Sequence, residues 1–263
     1  MTEIDIKIGC VVMAAGLSSR FGSNKLLTEF EGKSLAERTL NSVPADRLDR
    51  VVVVTRFPEI QAMAEACGFE VRWNNRPEDG ISLTIRLGLA ALSEVSGVGG
   101  AWFPVTGISE NTKYTASLRA CPAIPCNMAH NSGDCGSEAA MTGEGLTSSK
   151  ACMAGKAGGS GRMDAVLFMV CDQPELSCGS VSAMLDFYRA NPAHIVSMSY
   201  NGNRGNPCVF PAVYFTELMA LTGDTGGSAV IRKHEADLLL FEAGKETELQ
   251  DVDYSGDCGS SPQ

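Results

Sequence analysis

The chain has no apolar run approaching the ~20 residues that a membrane-crossing helix needs, so no membrane partner is expected. Histidine is scarce: the only three, His130, His194 and His234, form no cluster in sequence and are read as non-catalytic. Positive charge is in deficit. With 21 Lys and Arg against 31 Asp and Glu, the net charge of −10 argues against a general nucleic-acid surface. An anionic ligand would then need a local basic pocket. Three familiar loops are also missing: GxGxxG, GxxxxGK[ST] and the closing glycine of GxSxG. No CxxC occurs among the ten cysteines. The opening stretch MTEIDIKIGC carries acidic residues and no long apolar segment, so no signal peptide is expected there. A reduced, cytoplasmic setting follows as the default. Cys10, Cys171 and Cys208 lie in or beside apolar runs and read as small core residues.

What is present begins at residues 8–25. Ile8 to Met13 is apolar and reads as a buried strand. It runs into Ala14, Ala15 and Gly16, then a polar turn with Ser18, Ser19, Arg20 and Gly22, then Lys25. Small residues at a strand end let a ligand approach the backbone, and turn N–H groups can point at an anion. Arg20 can fork around phosphate oxygens, and Lys25 adds a point charge. Together they read as a triphosphate cradle, although spacing alone fits an ordinary strand–turn–helix connection equally well.

Downstream, a helix is expected over 34–43, a buried strand over 51–55, a helix over 58–67 closed by Gly68, and a strand over 69–73. Alternating strands and helices predict a parallel, doubly wound α/β sheet. Gly80 and Ser82 sit at a turn into a helix whose apolar side holds Leu83 and Leu87, and Ser82 could serve there as a cap. Residues 96–163 are rich in Gly, Ser, Ala, Thr and Asn, with fading periodicity, and read as a low-complexity surface insertion in a single domain spanning 1–263. Cys121, Cys126, Cys135, Cys152 and His130 within it match no zinc spacing. Trp102, Phe103 and Tyr114 are candidates to dock it.

Order returns with AVLFMV, Ala165 to Val170, a fully buried strand by composition. It delivers Asp172 at the carboxyl end, where α/β sheets bind ligands. Mg²⁺ prefers such carboxylate oxygen, while a capping aspartate before a helix over 177–190 is the plainer alternative. A strand over 195–199, a helix over 214–221, a second helix opened by Gly223-Asp224-Thr225-Gly226-Gly227 and a strand over 238–241 complete the pattern. Asp224 lies where a helix start could receive an anion or simply be capped.

The stretch AAGLSSRFGSNKLL resembles the signature of the molybdenum cofactor cytidylyltransferases, in the MobA-like NTP transferase superfamily. The pattern Ala-Ala-Gly-x-Ser-x-Arg-x-Gly-x-x-Lys is matched at every fixed position, and the resemblance covers 1–95 and 164–253. The guanylyltransferase branch carries a second glycine where Ala15 stands, so the resemblance favours CTP. It implies a Rossmann-like nucleotidyltransferase fold with a mostly parallel sheet, helices on both faces and an antiparallel strand. The implied reaction passes CMP from CTP to the terminal phosphate of a molybdopterin cofactor and releases pyrophosphate.

By the same resemblance, Ala14, Ala15, Gly16, Arg20 and Lys25 would bind the nucleotide, with Gly80, Ser82 and Thr84 framing base and ribose. Asp172, with Asp253 in a segment like the family's Asp-Ile-Asp ending, would hold Mg²⁺. Asn206 replaces the histidine of the family's Gly-His-Pro loop and, with Asp224, would face the acceptor. Asparagine cannot take up a proton near neutral pH, which leaves a positioning role. Two other readings stay open: transfer to a sugar or polyol phosphate, or a non-catalytic accessory that delivers the cofactor to a molybdenum hydroxylase.

Overall fold

In the computed structural model the described residues are 5–16, 24–94 and 162–252. Arg20, Asp253, Ser18, Ser19 and Gly22 lie outside them, as do residues 95–161 with their cysteines, His130 and aromatic residues.

Strand β1, Ile8–Ala14, is nearly all buried, because its apolar residues serve both faces of a sheet. A short hairpin of β2, Glu29–Phe30, and β3, Lys33–Ser34, follows, turned by Glu31 and Gly32 at positive φ. The sequence reading did not anticipate it, since two-residue strands show no period. Helix α1, Leu35–Ser42, starts one residue later than expected because Ser34 caps it, its Oγ accepting from the Glu37 N–H at 3.2 Å. Strand β4, Arg50–Thr55, helix α2, Pro58–Ala66, and strand β5, Glu70–Trp73, then wind outward, with Gly68 at φ +75° closing α2. Helix α3, Ile81–Ser93, returns across the sheet.

Strand β6, Ala165–Val170, pairs in parallel with β1, Val11 lying against both Phe168 and Val52 of β4. Helix α4, Cys178–Ala190, leads to strand β7, Ile195–Tyr200. Asn201 and Gly202, both at positive φ, turn the chain back into β8, Asn203–Pro211. The glycine-rich run after residue 200 is therefore a two-residue turn followed by a strand. Helix α5 is confined to Phe215–Met219, behind a 3-10 turn at Ala212–Tyr214, where a longer helix was expected. Helix α6, Ser228–Lys233, and edge strand β9, Leu238–Glu242, follow.

The seven-stranded order is β5-β4-β1-β6-β8-β7-β9, and β8 is the strand that runs against its neighbours. Strand alternation divides the core. Cys10 and Val12 pack with Leu40, Ile60 and Leu185 of α1, α2 and α4. Val11, Val52 and Val54 pack with Ile85 and Leu89 of α3, and with Leu218 and Ile231 of α5 and α6. Gly88 brings α3 close to β1: a Cβ there would stand 2.4 Å from Val11 Cγ1. Helices thus cover both faces, as the βαβ pattern predicts. Cys10, Cys171 and Cys208 are buried in the core. No helix among the described residues is long and apolar enough to cross a membrane.

Candidate active site

The carboxyl ends of β1 and β6 open into a cavity of about 550 Å³, closed on another side by the start of α3. In an open parallel sheet the ligand crevice lies at these strand ends. Ala15 and Gly16 line it where β1 ends, and Cys171 and Asp172 where β6 ends. Lys25 enters from a 3-10 turn, Lys25–Leu27, whose start is fixed by Asn24 Oδ1 accepting from the Leu26 N–H at 3.2 Å. That turn aims Lys25 Nζ at Asp172 Oδ2, 2.9 Å away. Both side chains are mostly withdrawn from solvent, at 14% and 26% exposure.

Asp172 does not cap α4. Ser177 does, its Oγ accepting from the Ser180 N–H at 3.0 Å. The aspartate belongs to a separate turn held from three directions. Val252 N–H donates to Asp172 O at 3.0 Å. Gln173 Nε2 donates to Leu249 O at 3.2 Å, and Arg38 Nε donates to Pro174 O at 2.8 Å. The neighbouring Cys171 thiol is pushed up to about 12 by burial, with the Asp172 charge adding to the rise and a Thr39 hydrogen bond opposing it. Burial of this kind disfavours the thiolate, the form that acts as a nucleophile.

The base-and-ribose candidates separate. Thr84 lines the cavity, and its Oγ1 accepts from Asn74 Nδ2 at 3.2 Å. Asn74 Oδ1 in turn accepts from the Arg76 N–H at 3.0 Å. Ser82 is fully buried and is absent from the cavity lining; its Oγ meets no hydrogen-bond partner among the described residues. Ser82 does not cap α3 either, because Gly80 is the cap residue. Gly80 lies at φ +83°, and a Cβ there would fall 2.3 Å from Gly223 O. Its small size therefore admits the 223–224 turn against α3, a close approach of chain to chain. Ala14 is buried and also off the lining, its carbonyl accepting from Thr55 Oγ1 at 3.0 Å.

Asp224 reaches the cavity wall without capping α6, whose cap residue is Gly227. Asn206 lies on β8 in a smaller pocket of about 90 Å³ with Cys208 and Ser228. The two spaces share Met13, Ile81 and Val170 as walls. So Ala15, Gly16, Lys25, Gly80, Thr84, Asp172 and Asp224 share one cleft, and Asn206 stands next door. Sequence reasoning missed Asn74 and Glu78. Asn74 could have been suspected from its place just after a parallel strand; nothing in sequence marked Glu78, which lines the cavity.

A Lewis-acid cation is implied by the resemblance, and the donor set can be tested against it. Among the described residues no group of three or more His, Cys, Asp or Glu side chains forms a ready-made cage. One cavity carboxylate, Asp172, fits the way Mg²⁺ is held, on one or two carboxylates with substrate phosphates completing the shell.

The model of the MobA-like NTP transferase domain matches residues 10–106 and 112–238. The purine catabolism protein PucB of Bacillus subtilis is 22% identical over 249 residues, covering 92% of this chain and 90% of its own. The crystal structure of Rv0371c from Mycobacterium tuberculosis aligns with a TM-score of 0.59 at 18% identity, over 95% of both chains. A second structure of Rv0371c, in complex with manganese, aligns at 0.54 with 16% identity, over 90% of this chain and 88% of that one. A nucleotidyl transferase from Methanothermobacter aligns at 0.58 with 17% identity, over 95% and 94%.

Proposed function

The chain belongs to the family of MobA-like NTP transferase domains, and from that premise we propose that it transfers CMP from CTP to the terminal phosphate of a molybdopterin-type cofactor. The observation that carries this reading is the meeting of Lys25 and Asp172, at 2.9 Å, inside the cleft where β1 and β6 end. An ammonium beside a carboxylate at a parallel-sheet crevice is what a metal-bound triphosphate requires: one group for outer phosphates, one for the cation.

In the proposed reaction an oxygen of the acceptor phosphate forms a bond to the α-phosphorus of CTP. The bond from that phosphorus to the bridging oxygen breaks, and pyrophosphate leaves with the electron pair. The acceptor is already an anion, so no side chain has to remove a proton. Catalysis then rests on in-line positioning and neutralisation of charge. A bound Mg²⁺ would supply Lewis-acid stabilisation of the phosphate oxygens. Asp172 would hold it, with Asp253 as the second carboxylate. Lys25 would leave Asp172 for the outer phosphates, joined by Arg20. Gly16 and Ala15 would let the phosphates approach the backbone. Thr84, its hydroxyl oxygen engaged by Asn74, would direct its proton toward the nucleoside. Asp224 and Asn206 would face the acceptor.

CTP rests on Ala15, where a second glycine would favour GTP. Manganese in the Rv0371c complex supports a divalent cation in this fold. Asn206, standing where the family's loop carries histidine, supports a second reading in which the chain binds the cofactor and hands it to a molybdenum hydroxylase without chemistry. The decisive experiment uses labelled CTP with a panel of phosphate acceptors. Purified wild type should release pyrophosphate with the pterin acceptor, lose that activity to EDTA and regain it with Mg²⁺. Asp172→Ala should keep its circular dichroism and lose the activity. Turnover of Asp172→Ala at the wild-type rate would remove the assignment. Tight cofactor binding with no pyrophosphate from wild type would select the second reading.

A further inference from the structure

Glu248 is only 5% exposed, and the groups meeting its carboxylate are neutral donors. Ser180 Oγ and the Ser177 N–H, at 3.4 Å, approach Oε1, and the Gly244 N–H donates to Oε2 at 3.2 Å. Ser177 Oγ also donates to Ser180 Oγ at 2.9 Å, so two hydroxyls form a relay that ends on the carboxylate. The two serines belong to the start of α4, the 13-residue helix that follows the Asp172 turn, and Gly244 lies just past β9. Burying a carboxylate is unfavourable unless donors replace its water. The α4 N-terminus supplies both donors and the positive end of the helix dipole.

From Glu248 the chain runs directly along the candidate metal turn. Leu249 O receives Gln173 Nε2, and Val252 N–H reaches Asp172 O. The Leu249 side chain fills the space over Gly205 of β8, where a Cβ would come within 2.5 Å of Leu249 Cδ2. One segment, 246–252, therefore touches both the turn carrying Asp172 and the strand carrying Asn206. An apolar side chain would serve a segment that only had to be covered. A carboxylate with several directed donors fixes orientation as well, because each bond has an angular preference.

We propose that Glu248 is a positioning residue of the transfer site. By anchoring 246–252 to α4 it sets where the Asp172 carboxylate stands relative to the triphosphate and its cation. This rests on the reading of Asp172 as the carboxylate that holds the cation.

The test uses the full-length protein with Glu248→Ala, Glu248→Gln and Ser180→Ala. Three quantities are read: hydrogen exchange at the Val252 amide, affinity for Mn²⁺ in the presence of CTP by electron paramagnetic resonance, and transfer rate as Mn²⁺ is raised. Glu248→Ala should exchange Val252 at least roughly tenfold faster and bind Mn²⁺ about 10–100-fold more weakly, the usual scale for a lost supporting contact. Its lost rate should return at high Mn²⁺, which a general loss of stability would not produce. Glu248→Gln keeps one acceptor oxygen and should fall between. Ser180→Ala should show the same pattern more weakly, and it decides the matter if Glu248→Ala does not fold. Normal folding with unchanged Val252 exchange and Mn²⁺ affinity overturns the proposal, as does a rate loss that Mn²⁺ does not restore. If wild type binds Mn²⁺ and CTP yet releases no pyrophosphate, the functional reading fails alone, and exchange and binding still decide the role of Glu248.

Discussion

Asn74 shows how a residue without direct claim on the ligand shapes a site. It is 1% exposed and spends both ends of its amide on the protein: Nδ2 on Thr84 Oγ1, Oδ1 on the Arg76 N–H. Its own N–H donates to Thr55 O at 2.8 Å, tying the loop to the end of β4. Asn74→Ala removes both side-chain bonds and leaves a buried hydroxyl and a backbone N–H to find other partners. A buried polar group left unsatisfied costs about 1–3 kcal/mol, so a loss of that size is expected in urea unfolding. Nucleotide affinity should fall further than stability accounts for, with poorer discrimination of CTP from GTP, measured by titration calorimetry at a temperature where the variant stays folded. Unaltered affinity and selectivity would detach Asn74 from the nucleoside side of the cleft. Lys25 and Asp172 were legible in sequence because each sits at a marked place, one closing the AAGLSSRFGSNK signature, the other just past a buried strand. Asn74 and Glu248 were not, because their meaning lies in partners brought to them by packing. Ser82 misled for the related reason that a hydroxyl near a helix start carries no sign of which way it will face.

At the scale of elements, the joint between α3 and the 223–224 turn contributes Gly80 and Asp224 to the cleft wall. Gly80 makes it possible twice over, by accepting φ +83° and by leaving room for Gly223 O. The Ser82 N–H donates to that same oxygen at 3.2 Å, so the turn also completes the first turn of α3. Gly80→Ala must strain the backbone and push the turn away. Positive φ at a non-glycine residue costs about 1–3 kcal/mol, and the lost contact adds to it. A lower melting temperature is expected together with weaker acceptor binding, since Asp224 moves with the turn. A control at Gly68, φ +75° with no atom within 4 Å of the added Cβ, should carry the strain alone. Equal effects of Gly80→Ala and Gly68→Ala on acceptor binding would show that the turn contact is not what matters. Unbroken apolar or β-branched runs of five or six residues were readable: Val51 to Thr55 and Ala165 to Val170 emerged almost as expected. The β2–β3 hairpin escaped because its strands are only two residues long, and the shortened α5 because a three-residue 3-10 turn precedes it. The Asn201-Gly202 pair is a strong hairpin signal, and it explains why β8 is reversed in a sheet whose other strands are parallel.

For the whole molecule, the buried thiols make stability fall as alkali is added, in the same direction as the raised Tyr188 and Tyr214. Burial raises Cys10, Cys171 and Cys208, with Cys171 pushed up to about 12. In the unfolded chain an ordinary thiol ionises near pH ~8.5. Below that value all three are protonated in both states and contribute no pH dependence. Above it the unfolded chain releases protons that the folded chain retains, so unfolding is favoured as pH rises. Cys10 and Cys171 should each remove roughly 1 kcal/mol of stability per pH unit well above pH 9, and Cys208, raised in the same direction, adds to the fall. The decline from each thiol ends only when its folded form also ionises. Urea denaturation between pH 7 and 10.5 measures this directly, in a reducing buffer so that thiols stay free. Cys10→Ala, which leaves β1 an apolar side chain at that position, should make the alkaline slope shallower while costing stability at neutral pH through the cavity it opens. A slope unchanged by that substitution would show that the thiolate penalty is not what alkali acts on.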